Sequence, residues 1–391
     1  MKQIYLDYNA TTPVHEEVLE AMLPFYNESF GNPSSVHLFG RNVRESIENA
    51  RDIVAKAINA SSEEIVFTSC GSESNNFAIK GVLTALKQSD KKHIITSSIE
   101  HPSVLETCNY LETIGYKITY LPVDTDGRIN PEELQKNISG ETAIISIMHG
   151  NNEIGTIQNI SKIGEIARNK GVVFHTDAVQ TIGKVKIDVR KDNIDLLSIS
   201  AHKLYAPKGV GALYIKKGTK MEVLIHGGHQ ETNRRAGTEN IAGIVALGKA
   251  CEIILRDMES ENTHLQGLKE KLKSGLLDRI PKLRINSPEE NCLPTTLNIG
   301  FSGIEGEAML INLDLKGIAV STGSACSSGS TEPSHVLKAI NTPMEFSQSS
   351  LRFSFGRYTT EEDIDYVIET LPPIVKKLRS MSPLWEGQLD C

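Results

Sequence analysis

Short apolar runs recur along the first half of the chain: EIVFTS, HIITSS, KITYLPV, AIISIM, VVFHTDA and LLSIS, most of them separated by helix-sized segments. Strands that are apolar on both faces and alternate with helices predict a largely parallel sheet covered by helices on both sides. Thr12-Pro13 reads as the opening of an amphipathic helix through Val18, Leu19, Met22 and Leu23, and Val43, Ile47, Ala50, Val54 and Ile58 mark a second. Beyond the segment Ile241 to Met258 the pattern changes. A charged helix, HLQGLKEKLKSGLLDRI, is followed by TLNIGF, a helix at EGEAMLINLDLKG, the strand-like SLRFSFG, and a last helix announced by Thr359-Thr-Glu-Glu362 as a capping box. The fold expected is therefore α/β, with a larger domain over 13–258 and a smaller α+β domain formed by 259–391, onto which residues 1–12 fold back.

Composition narrows the function classes. A formal charge of -8 over 391 residues argues against nucleic acid as a direct partner, because phosphate backbones need concentrated Lys and Arg. No apolar run reaches a bilayer span and the start MKQIYLDYNATTP lacks a signal-peptide layout, so the expectation is a cytoplasmic protein with no membrane partner. Six cysteines, at 70, 108, 251, 292, 326 and 391, show neither C-x-x-C pairing nor zinc-ligand spacing. They read as thiols, and no metal site of the chain's own is expected. Cys326 stands apart from the rest. It sits in GIAVSTGSACSSGS, a glycine- and serine-rich stretch that cannot bury it as a small hydrophobe.

Two strand ends carry the densest polar information. VVFHTDAVQ ends its apolar run at His175-Thr-Asp177, and LLSISAHKLYAPKG ends its run at Ala201-His202-Lys203. Ligands of open α/β sheets gather at that edge. Alone, Lys203 reads equally well as a lysine snorkelling at the sheet rim or as a catalytic amine. Thr68-Ser-Cys-Gly-Ser-Glu-Ser-Asn75 adds a strand, a glycine turn and a helix N-terminus, a possible phosphate cradle that is also an ordinary Gly-Ser turn. A lysine for a Schiff base, an acid for the pyridine nitrogen and donors for a phosphate together make the set that pyridoxal phosphate requires. Neither the P-loop nor the dinucleotide glycine fingerprint is present.

With these stretches in place the chain resembles the NifS/IscS-type cysteine desulfurases, within the class V aminotransferase-like pyridoxal 5'-phosphate enzymes of fold type I. Ten blocks carry the resemblance in family order: YLDYNATTP, FGNPSS, EIVFTSCGSESNN, SSIEHPSV, MHGNNEIG, FHTDAVQ, SISAHKLYAPKG, RRAGTEN, STGSACSSGS and LRFSFGRYTTEEDIDY. It implies that Lys203 binds the coenzyme, Asp177 pairs with its ring nitrogen, Gln180 bonds its phenolic oxygen and His101 stacks on the ring and assists proton transfer. Gly71, Ser72, Ser200 and His202 would hold the phosphate, and Thr238 would reach the phosphate of the other subunit of a homodimer. Asn152 and Arg352 would clamp the carboxylate of L-cysteine, and Cys326 would take its sulfur as a persulfide. Ser72 stands where the family commonly has threonine, which keeps the hydroxyl, and Cys70 replaces a usually small residue and reads as packing.

The implied acceptors are an iron–sulfur scaffold protein of IscU/NifU type and, as a further outlet, a tRNA-thiolation enzyme, with Cys326 meeting iron only in a nascent cluster on such a partner. On the same scaffold a transaminase would need no thiol, and a selenocysteine lyase would differ in substrate alone. A non-catalytic sulfur-delivery scaffold would not need Lys203, Asp177 and Cys326 together.

Overall fold

The computed structural model describes residues 2–322, 333–383 and 385. Along them the strands are β1 (Ile4–Tyr5), β2 (Ile65–Thr68), β3 (His93–Ser97), β4 (Lys117–Leu121), β5 (Thr142–Ser146), β6 (Val173–Asp177), β7 (Leu196–Ser200), β8 (Gly211–Ile215), β9 (Leu283–Ile285), β10 (Thr296–Phe301), β11 (Ile318–Ala319), β12 (Ser321–Thr322) and β13 (Ser350–Ser354). Seven of them form the main sheet in the order β2-β8-β7-β6-β5-β3-β4. All its strands run one way except β8, which is antiparallel to both neighbours.

Alternation along each strand divides the sheet's burial between two faces. Phe67, Ile95, Ile145, Phe174 and Leu197 enter one apolar core, shared with the helices Leu38–Ala57 and Ile160–Lys170 and the first half of Ile241–Leu277. Val66, Ile94, Ile144 and Leu196 enter the other, under Gly71–Ala85 and Pro102–Thr113. A third core lies over the antiparallel sheet β12-β13-β10-β9 and contains Leu297, Phe301, Leu351 and Phe353, the second half of Ile241–Leu277 and the last helix, Glu361–Met381. Ile4 and Leu6 belong to this third core, and β1 pairs in parallel with β11.

Four details differ from the sequence-based expectation, each for a local reason. The first helix starts at Glu16 with His15 as its cap, not at Thr12. The Thr12 hydroxyl is already engaged, donating to the His202 carbonyl at 2.9 Å and accepting from the Tyr205 N–H at 2.9 Å. The final capping box sits one residue later than expected, between Thr360 and Asp363. The two helices expected on either side of residue 258 are one helix, Ile241–Leu277, which runs without a break from one core into the other. GALYI, buried throughout, forms the antiparallel β8, for which no strand was expected.

Close packing fixes several glycines. A Cβ on Gly164, inside Ile160–Lys170, would fall 1.9 Å from the Asp192 carbonyl oxygen, whereas one on Gly267, inside Ile241–Leu277, would meet nothing within 4 Å. Gly164→Ala should therefore lower the unfolding free energy by about 1–3 kcal/mol or more through overpacking. Gly267→Ala should raise it by roughly 0.5–1 kcal/mol, the ordinary helix-propensity gain. Urea titrations of the two variants check both signs.

Candidate active site

The carboxyl edge of the main sheet opens onto a cavity of about 340 Å³. Each strand that points there delivers a side chain from its end or from the turn that follows. Cys70, Gly71 and Ser72 follow β2, His101 and Ser103 follow β3, Asn152 lies beyond β5, Asp177 ends β6, and Ser200, His202 and Lys203 lie at the end of β7. Asn9 arrives from the N-terminal segment and Arg352 from β13 of the second sheet.

Asp177 is 6% exposed. Its Oδ2 accepts from Asn75 Nδ2 at 2.6 Å and its Oδ1 from the Val179 N–H at 2.9 Å. Asn75 also donates to Ser103 Oγ at 2.8 Å, and that hydroxyl lies 2.8 Å from His101 Nδ1. A polar chain therefore joins the carboxylate to the imidazole. Burial holds the His101 pKa below its ordinary value, helped by the nearby Lys203 and His335 charges and opposed by Asp177. His202, which shares the wall with Lys203, is pushed down to about 4 by burial and then by Lys203 and Lys208, so both imidazoles are neutral near pH 7.

The amine of Lys203 donates to the carbonyl of Asn9 and, at 2.6 Å, to that of Ala10. Gln180 donates to the same Asn9 carbonyl at 3.0 Å, while its Oε1 is buried without a partner among the described residues. Gly71 opens the helix Gly71–Ala85, and a Cβ there would stand 2.8 Å from Val179 Cγ2 and 3.3 Å from Ser200 Cβ. Arg352, 3% exposed, donates to Asp7 Oδ1 at 2.7 Å and to the Asn152 carbonyl at 3.1 Å, and its Nε has no partner among the described residues.

The structure thus brings together Gly71, Ser72, His101, Asn152, Asp177, Gln180, Ser200, His202, Lys203 and Arg352. Thr238 is exposed and does not line the cavity. Cys326 and Cys391 lie outside the described residues. Sequence reasoning missed Asn75, Ser103, Asn9 and Asp7, and two buried acids behind the wall. Glu100 accepts from Ser97 Oγ at 2.5 Å and from the Met148 N–H at 2.9 Å, and burial pushes its carboxyl up to about 8. Glu153 accepts from Ser334 Oγ, and burial raises it to about 7 against the opposing pull of Ser334 and Arg352. Only the adjacency of Glu100 to His101 and of Glu153 to Asn152 could have drawn attention to these two.

The family profile described as Aminotransferase class-V matches residues 4–367. A curated relative, cysteine desulfurase IscS of Dictyoglomus turgidum, is 55% identical over 382 residues, 98% of this chain and 97% of that one. Among solved structures, one titled NifS-like protein aligns with a TM-score of 0.91 at 41% identity, covering 96% of this chain and 100% of the other. Another, titled SspA in complex with cysteine, aligns at 0.80 with 39% identity, covering 92% of this chain and 100% of the other.

Glu153 gives this wall a pH dependence whose sign is fixed. Its folded pKa of about 7 stands above the unfolded value of 4.5, so the folded state binds a proton that the unfolded state does not. Stability contributed by Glu153 therefore rises as pH falls through 7 and is lost as pH climbs past it. Between about pH 8 and about pH 6 the native protein should gain roughly 1 kcal/mol relative to Glu153→Gln, which keeps the shape and cannot titrate. Urea unfolding at the two pH values tests this, and parallel profiles would rule it out.

With ten of its expected site residues gathered on one wall-lined hollow and these relatives spanning nearly its full length, the chain belongs to the aminotransferase class-V family and, within it, to the IscS/NifS-type cysteine desulfurases.

Proposed function

We propose that this protein is a cysteine desulfurase that works with pyridoxal 5'-phosphate, taking sulfur from L-cysteine to leave L-alanine and a persulfide on Cys326. One observation carries the reading above the others. The Lys203 amine, the Asp177 carboxylate and the Arg352 guanidinium, drawn from two sheets, line a single cavity.

The residues present fit the coenzyme. A buried carboxylate fixed by Asn75 and Val179 suits a protonated ring nitrogen, and the unpartnered amide oxygen of Gln180 marks a side chain whose amide can turn its N–H to a phenolic oxygen. The start of Gly71–Ala85, with Ser72, Ser200 and His202 around it, offers backbone N–H groups and hydroxyls to a phosphate. Bound there, the coenzyme supplies an electron sink for the pair left on the substrate Cα.

The chain's own residues do the rest. Arg352, oriented by Asp7, pairs its guanidinium with the substrate carboxylate, and Asn152 flanks it. Lys203 Nζ takes the Cα proton. His101 has its Nδ1 occupied by Ser103, which leaves Nε2 to exchange a proton within the cavity. The Cys326 thiolate attacks the substrate sulfur, so an S–S bond forms as the Cβ–Sγ bond breaks.

The same reading extends to assembly and partners. Thr238, exposed and away from its own cavity, serves the phosphate of a second copy, which makes the protein a homodimer with shared sites. The larger unit is 13–258, and 1–12 with 259–391 form the smaller one that carries Cys326. Among the described residues no helix is long and apolar enough to cross a membrane. The protein works in the cytoplasm, handing sulfur to an iron–sulfur scaffold of IscU/NifU type and, as a second outlet, to a tRNA-thiolation enzyme.

L-Cysteine with a dithiol reductant should yield alanine and sulfide in equal amounts, quantified by chromatography and colorimetry. Cys326→Ser should lose sulfide release while keeping the yellow colour of the bound coenzyme, and Lys203→Ala should lose that colour on extensive dialysis against a competing amine. Sulfide release at the native rate from the serine variant sinks the proposal. Arg352→Gln should raise KM for cysteine about 10- to 100-fold with a smaller effect on kcat, the loss of a charge-assisted carboxylate contact.

A further inference from the structure

Outside the cavity a buried amine stands against a thiol. Lys269 lies on Ile241–Leu277 among Leu265, Leu268, Leu272 and Leu276, in the core over the second sheet, and is 4% exposed. Desolvating an ammonium there costs several kcal/mol unless its head is partnered. Its Nζ lies 3.0 Å from the Leu293 carbonyl oxygen and 3.0 Å from Cys292 Sγ. Burial pushes the Cys292 thiol up, and Lys269 pulls it back. Among the described residues Cys108 and Cys251 have no such neighbour, and burial pushes both up to about 12.

The thiol is held in place from the other side as well. Its Sγ lies 3.7 Å from the Ile154 carbonyl oxygen, and a Cβ on Gly155, at φ +84, would fall 2.8 Å from it. The backbone on either side is zipped to the same loop. The Leu293 N–H donates to Gly155 at 2.8 Å, and the Ile157 N–H donates to Asn291 at 2.8 Å. A bulky mixed disulfide has no room on that face, whereas a single atom between nitrogen and sulfur needs little movement of either side chain.

We propose that Lys269 and Cys292 are a redox modification site, joined by dioxygen into a covalent N–O–S bridge. The O–O bond breaks. One oxygen atom becomes bonded to both Nζ and Sγ, and the other leaves as water with the thiol hydrogen and one amine hydrogen. Nitrogen and sulfur each give up two electrons, and dioxygen takes all four. Two equivalents of a dithiol, each going to its disulfide and giving two electrons and two protons, reverse the bridge, returning the amine and thiol and releasing the oxygen as water. The bridge fastens the long helix to the segment that braces Ile154–Ile157, the limb of the loop just beyond Asn152.

The test uses the full-length protein, prepared anaerobically and then incubated in aerated buffer, digested and read by mass spectrometry. The expected product is a peptide pair containing Lys269 and Cys292, heavier than the two free peptides by one oxygen and lighter by two hydrogens. It should be lacking in the anaerobic sample, lost with dithiothreitol, and missing from Cys292→Ser and Lys269→Arg. The proposal is overturned if aerated wild-type protein keeps Cys292 fully open to alkylation. It is equally overturned if that cysteine is found only as sulfinic or sulfonic acid, or in a disulfide. The deciding sample is the wild-type chain, so a variant that folds poorly does not weaken the result.

Discussion

The Asp177 carboxylate, buried at the end of a central strand, sets the terms for everything around it. A buried anion survives only where donors are fixed for it. Here one is the N–H of the next turn and the other an amide from a helix on the opposite face of the site. That amide is Asn75, one helical turn past Gly71, so the requirement to satisfy Asp177 also fixes where the open N-terminus of Gly71–Ala85 points. Through Ser103 the same amide reaches His101. Carboxylate, anion-ready helix end and imidazole are thus held by one set of hydrogen bonds.

The second constraint is that the site belongs to two sheets. Arg352 projects from β13, whose neighbours are β10 and β12, and its guanidinium is steered by Asp7 from the first residues of the chain. Asn152 and Glu153 lie in the loop between these parts. The Asn152 carbonyl accepts from both Asn9 and Arg352, and the Glu153 carbonyl accepts from Asn298 in β10. The loop is therefore hydrogen-bonded to the N-terminal segment and to both inner strands of the second sheet.

Much of this was legible in the sequence, for reasons that differ by residue. Asp177 and Lys203 could be read because a polar residue ending an apolar strand marks the ligand edge of a parallel sheet. Asn75 could not, because an asparagine on the fifth residue of a helix looks like any surface carboxamide until the strand opposite it is placed. Asn9 and Asp7 act through contacts with residues near 203 and 352, separations at which local pattern carries no signal. The direction of β8 was also hidden. No strand is expected at GALYI, which follows a Pro-Lys-Gly turn, and only pairing on both sides reveals that it runs opposite to its neighbours. Glu100 and Glu153 illustrate the opposite limit: a glutamate in a loop is normally solvated, and burial alone makes these two exceptional.

The opening residues of the chain have one more consequence. Among the described residues Ile4 and Tyr5 complete a ladder with Ile318 and Ala319, while Asn9 and Ala10 lend their carbonyls to Lys203. The strand partner of β1 lies far along the chain, beyond every strand of the main sheet. The main sheet does not include β1, so the β1–β11 ladder is a separate, long-range contact that can form after that sheet. Losing β11 would therefore loosen the strand that leads into the two carbonyls facing Lys203.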